Sequence, residues 1–362
     1  MIQIAKEIAA KLVKRGVLIS MLENAWYCAA WSHEIQTNGL LGRKLLNRQV
    51  VLFRDSKGKL HAVGAVCPHR GADLTRGRVV DDALQCSLHG WRFDSKGTCV
   101  AVPSQPASLK IPLTAKVPSY AVKEHQGVVW IWVGRQREDL PNPPQGDAGS
   151  EGRRLFNRPQ LWKCTFVNAV ENAIDVTHVP FVHVRTLGSN QEHLYPRQDI
   201  LVDDDLRGFS GKNSEYSPWG SVRAAHTIGG TMGYIARRLL GLSSIKLEHY
   251  RFDLGGSLFY TIVWDTSKWD ILIAHSTPAD ESHTWFFGES IRTRATHWLG
   301  DIAQKWFNRS LCKEDEAAIT AMLSNDPTLL PTPTSVVGDE PLLTFRRIYS
   351  YHVREQQLAD LQ

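Results

Sequence analysis

Nowhere does the sequence offer the ~20 consecutive apolar residues that a membrane-spanning helix requires; the apolar run Val128–Val133 is only strand-length. Cysteine is scarce, with six in 362 residues, which excludes a disulfide-stapled scaffold. Charge of one sign is nowhere concentrated. The net charge is +5, and Arg153-Arg154, Arg237-Arg238 and Arg346-Arg347 are pairs, not patches, so charge alone argues for neither nucleic acid nor a membrane. No G-x-G-x-x-G follows a strand; Gly229-Gly-Thr-Met-Gly233 lacks the spacing, so no nicotinamide or flavin site is legible. The N-terminus, Ile2 to Arg15, interleaves charge with apolar residues at helical spacing, unlike a secretory leader. It fits an appended surface helix, the simpler reading, or an amphipathic segment lying on a membrane. A cytoplasmic location is expected.

What is present is an ordinary folded composition, 43% hydrophobic and 22% charged, at a length that calls for two domains. Twelve tryptophans and fourteen histidines stand out, and the histidines invite a search for metal. The first half reads as short strands, among them Gln49–Arg54, Leu60–Val66 and Val128–Val133, set off by turn formers such as Asp55-Ser-Lys-Gly58 and Asp94-Ser-Lys-Gly97. Residues 135–154, rich in Pro, Gly and charge, form the best boundary. Beyond it, a strand-like Leu161–Val167 runs into a helix over Asn168–His178. Strand candidates follow at Ile245–Phe252, Ser257–Trp264, Ile271–His275 and Trp285–Ser290, spaced as in an antiparallel sheet. A long helix over Thr296–Leu323 carries apolar Leu299, Ile302, Trp306, Leu311, Ala318, Ile319 and Met322, and the Pro-rich tail over Pro327–Pro341 is expected to wrap a surface.

Two short arms carry the clearest chemistry. Cys67-Pro68-His69 and Cys86-Ser87-Leu88-His89 are separated by sixteen residues, and each is followed by a glycine, Gly71 and Gly90. Glycine permits the tight loop by which backbone N–H groups approach a buried anion. Two thiolates and two imidazoles suit a Cys2His2 zinc site or a Rieske [2Fe–2S] centre with sulfur on one iron and nitrogen on the other. Mixed Cys/His pairs in both arms favour the second. Cys28, Cys99, Cys164 and Cys312 have no partner pattern and read as reduced, half-buried small hydrophobes.

Residues 171–183 hold a second set. Glu171, Asp175 and His178 fall at i, i+4 and i+7 of a helix, on one face. Pro180 disfavours helix at Val179 and is expected to break it there, so that His183 folds back beside His178. Two histidines and one carboxylate would leave positions open on a metal, the facial-triad arrangement. The carboxylate must come from elsewhere, and Glu314-Asp315-Glu316 offers three candidates.

Cys67-Pro-His69-Arg-Gly71-Ala and Cys86-Ser-Leu-His89-Gly-Trp-Arg-Phe93 closely resemble the cluster motif of Rieske non-haem iron oxygenases, and Asn172-x2-Asp175-x2-His178-x4-His183 is similar to their mononuclear-iron motif. The resemblance runs from about Asn24 through the late helix; residues 1–20 and about 190–295 match no motif. It implies an α+β protein: an extension over 1–22, an all-β Rieske domain over 23–140, and a catalytic domain over 155–362 with an antiparallel sheet flanked by helices. It further implies that Cys67, His69, Cys86 and His89 hold the cluster and that His178, His183 and Asp315 hold Fe(II), with Glu314 or Glu316 as the fallback ligand. By the same resemblance Asn172 and Asp175 are catalytic, Asp175 accepting from an iron-ligating histidine and, across a subunit boundary, from a cluster histidine. That link implies a homotrimer. The implied activity is that of the monooxygenase and demethylase branch, with O2 as co-substrate and NAD(P)H used only through a separate reductase or ferredoxin. A ring-dihydroxylating enzyme, a plain Rieske electron carrier and a zinc-binding interaction protein are the alternatives. A hydrophobic aromatic or polycyclic substrate is expected; Phe181, Tyr216, Trp219, Tyr260, Trp264, Phe286 and Phe287 fit either pocket lining or sheet core.

Overall fold

The computed structural model describes residues 21–106, 108–144, 152–186, 198–212, 246–265, 268–325 and 334–360. The chain divides into two compact units. One is Glu23–Pro143 with Thr277–Asp280; the other takes up the chain from Pro144. Among the described residues no helix is long and apolar enough to cross a membrane.

The first unit is all β. Leu40–Leu45, Arg48–Arg54, Leu60–Gly64 and Ser119–Tyr120 form one antiparallel sheet, and Ala25–Trp31, Val128–Val133 and Val122–His125 another. A third is a small four-stranded meander over Arg78–Val80, Ala83–Gln85, Arg92–Phe93 and Cys99–Ala101. Val128–Val133 is buried at every position, which explains a strand that is apolar throughout rather than alternating. The repeated Asp-Ser-Lys-Gly produces the same turn twice. Asp55 Oδ1 accepts from the backbone N–H groups of Lys57 and Lys59, and Asp94 Oδ1 from those of Lys96 and Thr98. Each is an Asx turn closed by a glycine at positive φ. The core includes Val51, Phe53, Val63, Leu74, Leu84 and Phe93, and Cys67 and Cys86 belong to it.

The second unit centres on an eight-stranded antiparallel sheet. Its order is Arg153–Phe156, Thr284–Arg292, Lys268–Pro278, Ser257–Asp265, Lys246–Asp253, Gly208–Lys212 and Asp199–Val202, with Gln160–Trp162 also pairing onto Thr284–Arg292. Among the described residues four helices accompany it: α1 (Phe166–Ile174), α2 (Val179–Val182), α3 (Trp298–Thr320) and α4 (Glu340–Asp360). Thr165 caps α1, its hydroxyl accepting from the Asn168 N–H at 3.2 Å. Trp162, Cys164 and Ala169 pack with Cys312 and Ile319 of α3, and Trp162 stacks on Phe286 of the sheet at 4.1 Å. This cluster pins α1 and α3 side by side.

The histidine segment departs from the sequence expectations. The helix expected over Asn168–His178 ends at Ile174, with Asp175 as its C-cap. Pro180 is not the breaker; it sits in the first turn of α2, where its missing N–H leaves no bond unmade. Glu171 does not join the group that His178 forms. It is buried and paired with Arg346 of α4, Nη2 to Oε2 at 2.7 Å. Most of the Pro-rich tail, residues 327–333, lies outside the described residues; its described end, from Thr334, leads into α4, with Pro341 in the first turn.

Candidate metal centres

The two cluster arms have the same backbone geometry. In each, the cysteine N–H donates to the carbonyl five residues on, Cys67 to Ala72 at 2.9 Å and Cys86 to Trp91 at 2.8 Å. In each, the glycine four residues on donates back to the cysteine carbonyl, Gly71 at 2.9 Å and Gly90 at 3.0 Å. Both glycines have φ of +71°, the left-handed region where a side chain is strained. The thiols of Cys67 and Cys86 are buried, whereas His69 and His89 are exposed with ring centroids 4.7 Å apart. Trp91 stacks flat on His69 at 4.5 Å. Burial pushes the Cys67 thiol up, and the Cys86 thiol beside it adds to the effect. Two buried thiols adjacent yet unbonded, behind two surface imidazoles, are what a cluster with sulfur on its inner iron and nitrogen on its outer iron requires.

In the second unit, His178 immediately precedes α2 and His183 immediately follows it. One short turn thus brings both imidazoles to one point. Their Nε2 atoms lie 3.2 Å apart, and Asp315 Oδ1 on α3 lies 3.2 Å from His183 Nε2 and 3.5 Å from His178 Nε2. Ligands about 2.1 Å from a common metal are separated by roughly 3.0 Å at right angles and about 3.4 Å at tetrahedral angles, so the triangle fits one ion. Among the described residues this is the one group of three or more metal-ligand side chains that converges so closely.

The surrounding residues hold these donors in place. Asn172 Nδ2 donates to Asp315 Oδ1 at 3.0 Å. Glu314 Oε2 faces His183 Nδ1 at 3.0 Å and accepts from the Thr186 hydroxyl. Burial alone would lower the His183 imidazole, but hydrogen bonds to Asp315 and Glu314 override it and raise it to about 9. Burial likewise opposes ionisation of Asp315, yet the two histidines hold its carboxyl far below the usual range. Asp175 Oδ1 accepts from the Thr177 N–H at 2.7 Å and from its hydroxyl. Asp175 Oδ2 is 3.9 Å from His178 Nδ1, too far for a hydrogen bond, and the buried Nδ1 has no hydrogen-bond partner. Glu316, the other fallback, is not in the convergent group.

A cavity of about 140 Å³ opens beside the three donors, close to the about 150 Å³ apolar cavity that accommodates benzene. Val176, Val179, Leu247, Ile262 and Leu272 line it, with Tyr260 and Phe286. Phe287 is sheet core, Phe181 is 60% exposed, and Tyr216, Trp219 and the Trp264 side chain lie outside the described residues. Sequence reasoning missed the polar end of this cavity. Asn308 accepts from Gln304 Nε2 at 2.8 Å and donates to Asn157 Oδ1 and Ser290 Oγ, both at 3.2 Å. The Asn157 oxygen is thereby turned toward Asn308. Nothing local in the sequence marks that pair, which joins residues 151 positions apart.

Residues 25–121 match the Rieske [2Fe-2S] domain, and residues 162–355 match the vanillate O-demethylase oxygenase C-terminal domain. The second match spans more than half of the chain, which therefore belongs to this family of Rieske-type oxygenase components. The toluene-4-sulfonate monooxygenase system iron-sulfur subunit TsaM1 of Comamonas testosteroni is 35% identical over 47% of the chain and 48% of its own length. The chloroplastic protein TIC 55 of Arabidopsis thaliana is also 35% identical, over 51% of the chain and 35% of its own length. The chain thus spans half or less of these curated relatives. The oxygenase component of dicamba O-demethylase from Stenotrophomonas maltophilia is 25% identical over 84% of the chain and 88% of its own length. The fold matches the crystal structure of dicamba monooxygenase bound to 3,6-dichlorosalicylic acid, with a TM-score of 0.73 at 22% identity over 93% of this chain and 99% of that one.

Proposed function

We propose that this chain is the terminal oxygenase component of a multi-component system, which oxidises a small, largely apolar substrate with O2. The observation that carries the reading is the convergence of His178, His183 and Asp315 at the edge of an apolar cavity, in a chain that also carries the paired Cys/His loops. Cys67, His69, Cys86 and His89 would hold the [2Fe–2S] cluster; His178, His183 and Asp315 would hold ferrous iron. When bound, that iron supplies O2 activation at the positions the three side chains leave open.

The chain's own residues orient and shield. Glu314 fixes the tautomer of His183 by accepting from Nδ1, leaving Nε2 for the metal. Asn172 holds Asp315 Oδ1 toward both histidines. The apolar lining excludes water and favours a small apolar ring. A one-ring methyl ether fits these demands, in line with the demethylase names among the relatives. Its oxidation consumes O2, two electrons and two protons and yields a hydroxyl, formaldehyde and water. The electrons come from a separate reductase or ferredoxin, and NAD(P)H is used only by that partner. A homotrimer completes the reading, in which Asp175, 3.9 Å from His178 in the single chain, closes on it and joins it to the neighbouring subunit's cluster, with a cytoplasmic setting.

The test is a single turnover. Anaerobically reconstituted, dithionite-reduced protein is mixed with O2 and methoxybenzene, and formaldehyde and cluster reoxidation are followed. Wild type is expected to release formaldehyde as the cluster reoxidises, and His183→Ala to release none. Equal release by both proteins, or none from wild type with any of a series of one-ring methyl ethers, contradicts the reading.

A further inference from the structure

Helix α3 is built with its polarity inverted. Its inward face carries Asp301, Gln304, Asn308 and Cys312, all buried. Polar residues face inward because they have partners there: Asp301 pairs with Arg153 and Arg292, Gln304 and Asn308 form the amide network, and Asp315 joins the histidines. Four large apolar residues of its N-terminal half are consequently left outside. Trp298, Leu299, Ile302 and Trp306 are 67%, 55%, 58% and 53% exposed. Positions 298, 302 and 306 stand one above the other at i, i+4 and i+8, so they form one stripe rather than scattered exposures.

The charge around that stripe is of one sign. Between Thr296 and Lys313 the only acid is Asp301, and it is buried. Lys305, Arg309 and Lys313 are exposed on the outward side. Tryptophan with Leu and Ile above a cationic edge is the layout of a helix that lies in a headgroup region. The N-terminal sequence repeats the composition: Ile4, Ile8 and Leu12 recur every four residues, among Lys6, Lys11, Lys14 and Arg15 with one acid, Glu7. A two-fold dimer built on this face fits less well. Two-fold pairing would set Lys305, Arg309 and Lys313 against like charges, and among the described residues of Trp298–Lys313 no exposed acid answers them.

We propose that the outward face of α3 is a docking surface for anionic phospholipid, by which the protein binds a membrane peripherally. The inference is independent of the proposed oxidation and needs no turnover to test. Full-length protein is sedimented with vesicles of phosphatidylcholine alone or with 30 mol% phosphatidylglycerol, at low and high salt. Wild type is expected to bind the anionic vesicles, more weakly at high salt, and the neutral ones little. The variant W298S/I302N/W306S is expected to lose at least tenfold in binding, and K305E/R309E to lose the preference for anionic lipid. Circular dichroism and cluster absorbance report whether each variant is folded; if the triple variant is not, Trp298→Ser alone carries the test, with at least threefold loss expected. No binding by wild type, or unimpaired binding by the folded variants, overturns the proposal. So does a variant whose light-scattering mass falls below that of wild type, since the face would then be an interface between copies.

Discussion

Glu314 and Asp315 are neighbours on one helix, and the roughly 100° between successive helical residues lets them grip His183 from two sides. Asp315 meets Nε2, and Glu314 meets Nδ1. From spacing alone the three acids 314–316 were equivalent, because register against the histidines is set by packing of α3 on α1. The Cys/His arms were legible at this scale because each is a local loop whose glycine is dictated by backbone angle. Glu314→Ala removes the acceptor that orients His183, so affinity for the mononuclear iron is expected to fall about 10- to 100-fold. Iron titration of the chelator-treated protein checks this, with cluster absorbance unchanged. Asp175→Asn is expected to keep both metals and slow reoxidation of the reduced cluster by at least tenfold. Normal reoxidation in stopped-flow mixing would show that Asp175 only shapes the turn through Thr177.

At the scale of elements, Lys246–Asp253, Ser257–Asp265, Lys268–Pro278 and Thr284–Arg292 were legible to within a few residues because they are apolar and β-branched, whereas Arg153–Phe156, Asp199–Val202 and Gly208–Lys212 are too short to carry that signal and were not expected. The helices were less legible. The break in the histidine segment falls at Asp175, five residues before the proline that was expected to cause it, because a proline in the first turn of α2 costs nothing. The inverted polarity of α3 was hidden for a related reason: periodicity locates an apolar stripe but not which side the partners for Asp301 and Asn308 are on. The Thr165 cap is expected to contribute about 1 kcal/mol, read as a lowered urea midpoint in Thr165→Ala. Hydrogen bonds from Arg153 and Arg292 hold the Asp301 carboxyl down to about 2, below its unfolded value of about 3.9. A depressed carboxyl stabilises the fold above the unfolded value and loses that contribution as pH falls toward about 2. Asp301→Asn should therefore lower the urea midpoint at pH 7, and the gap to wild type should narrow between pH 4 and 2. A gap constant over that window would assign the loss to packing instead.

For the whole molecule, the proposed division of labour rests on the sequence order, since one metal motif lies on each side of the Pro/Gly-rich segment. The cavity was not legible there, because residues as distant as Asn157 and Asn308 meet only once the sheet and α3 are in place. A trimeric mass by light scattering is expected of the purified protein. The central claim is that one chain holds two different iron sites, and iron with acid-labile sulfide per chain tests it most directly. Anaerobically purified, reconstituted wild type is expected to hold about three irons and two sulfides, and His183→Ala about two of each. Zinc in place of iron, absent sulfide, or an iron count unchanged in His183→Ala would contradict the account.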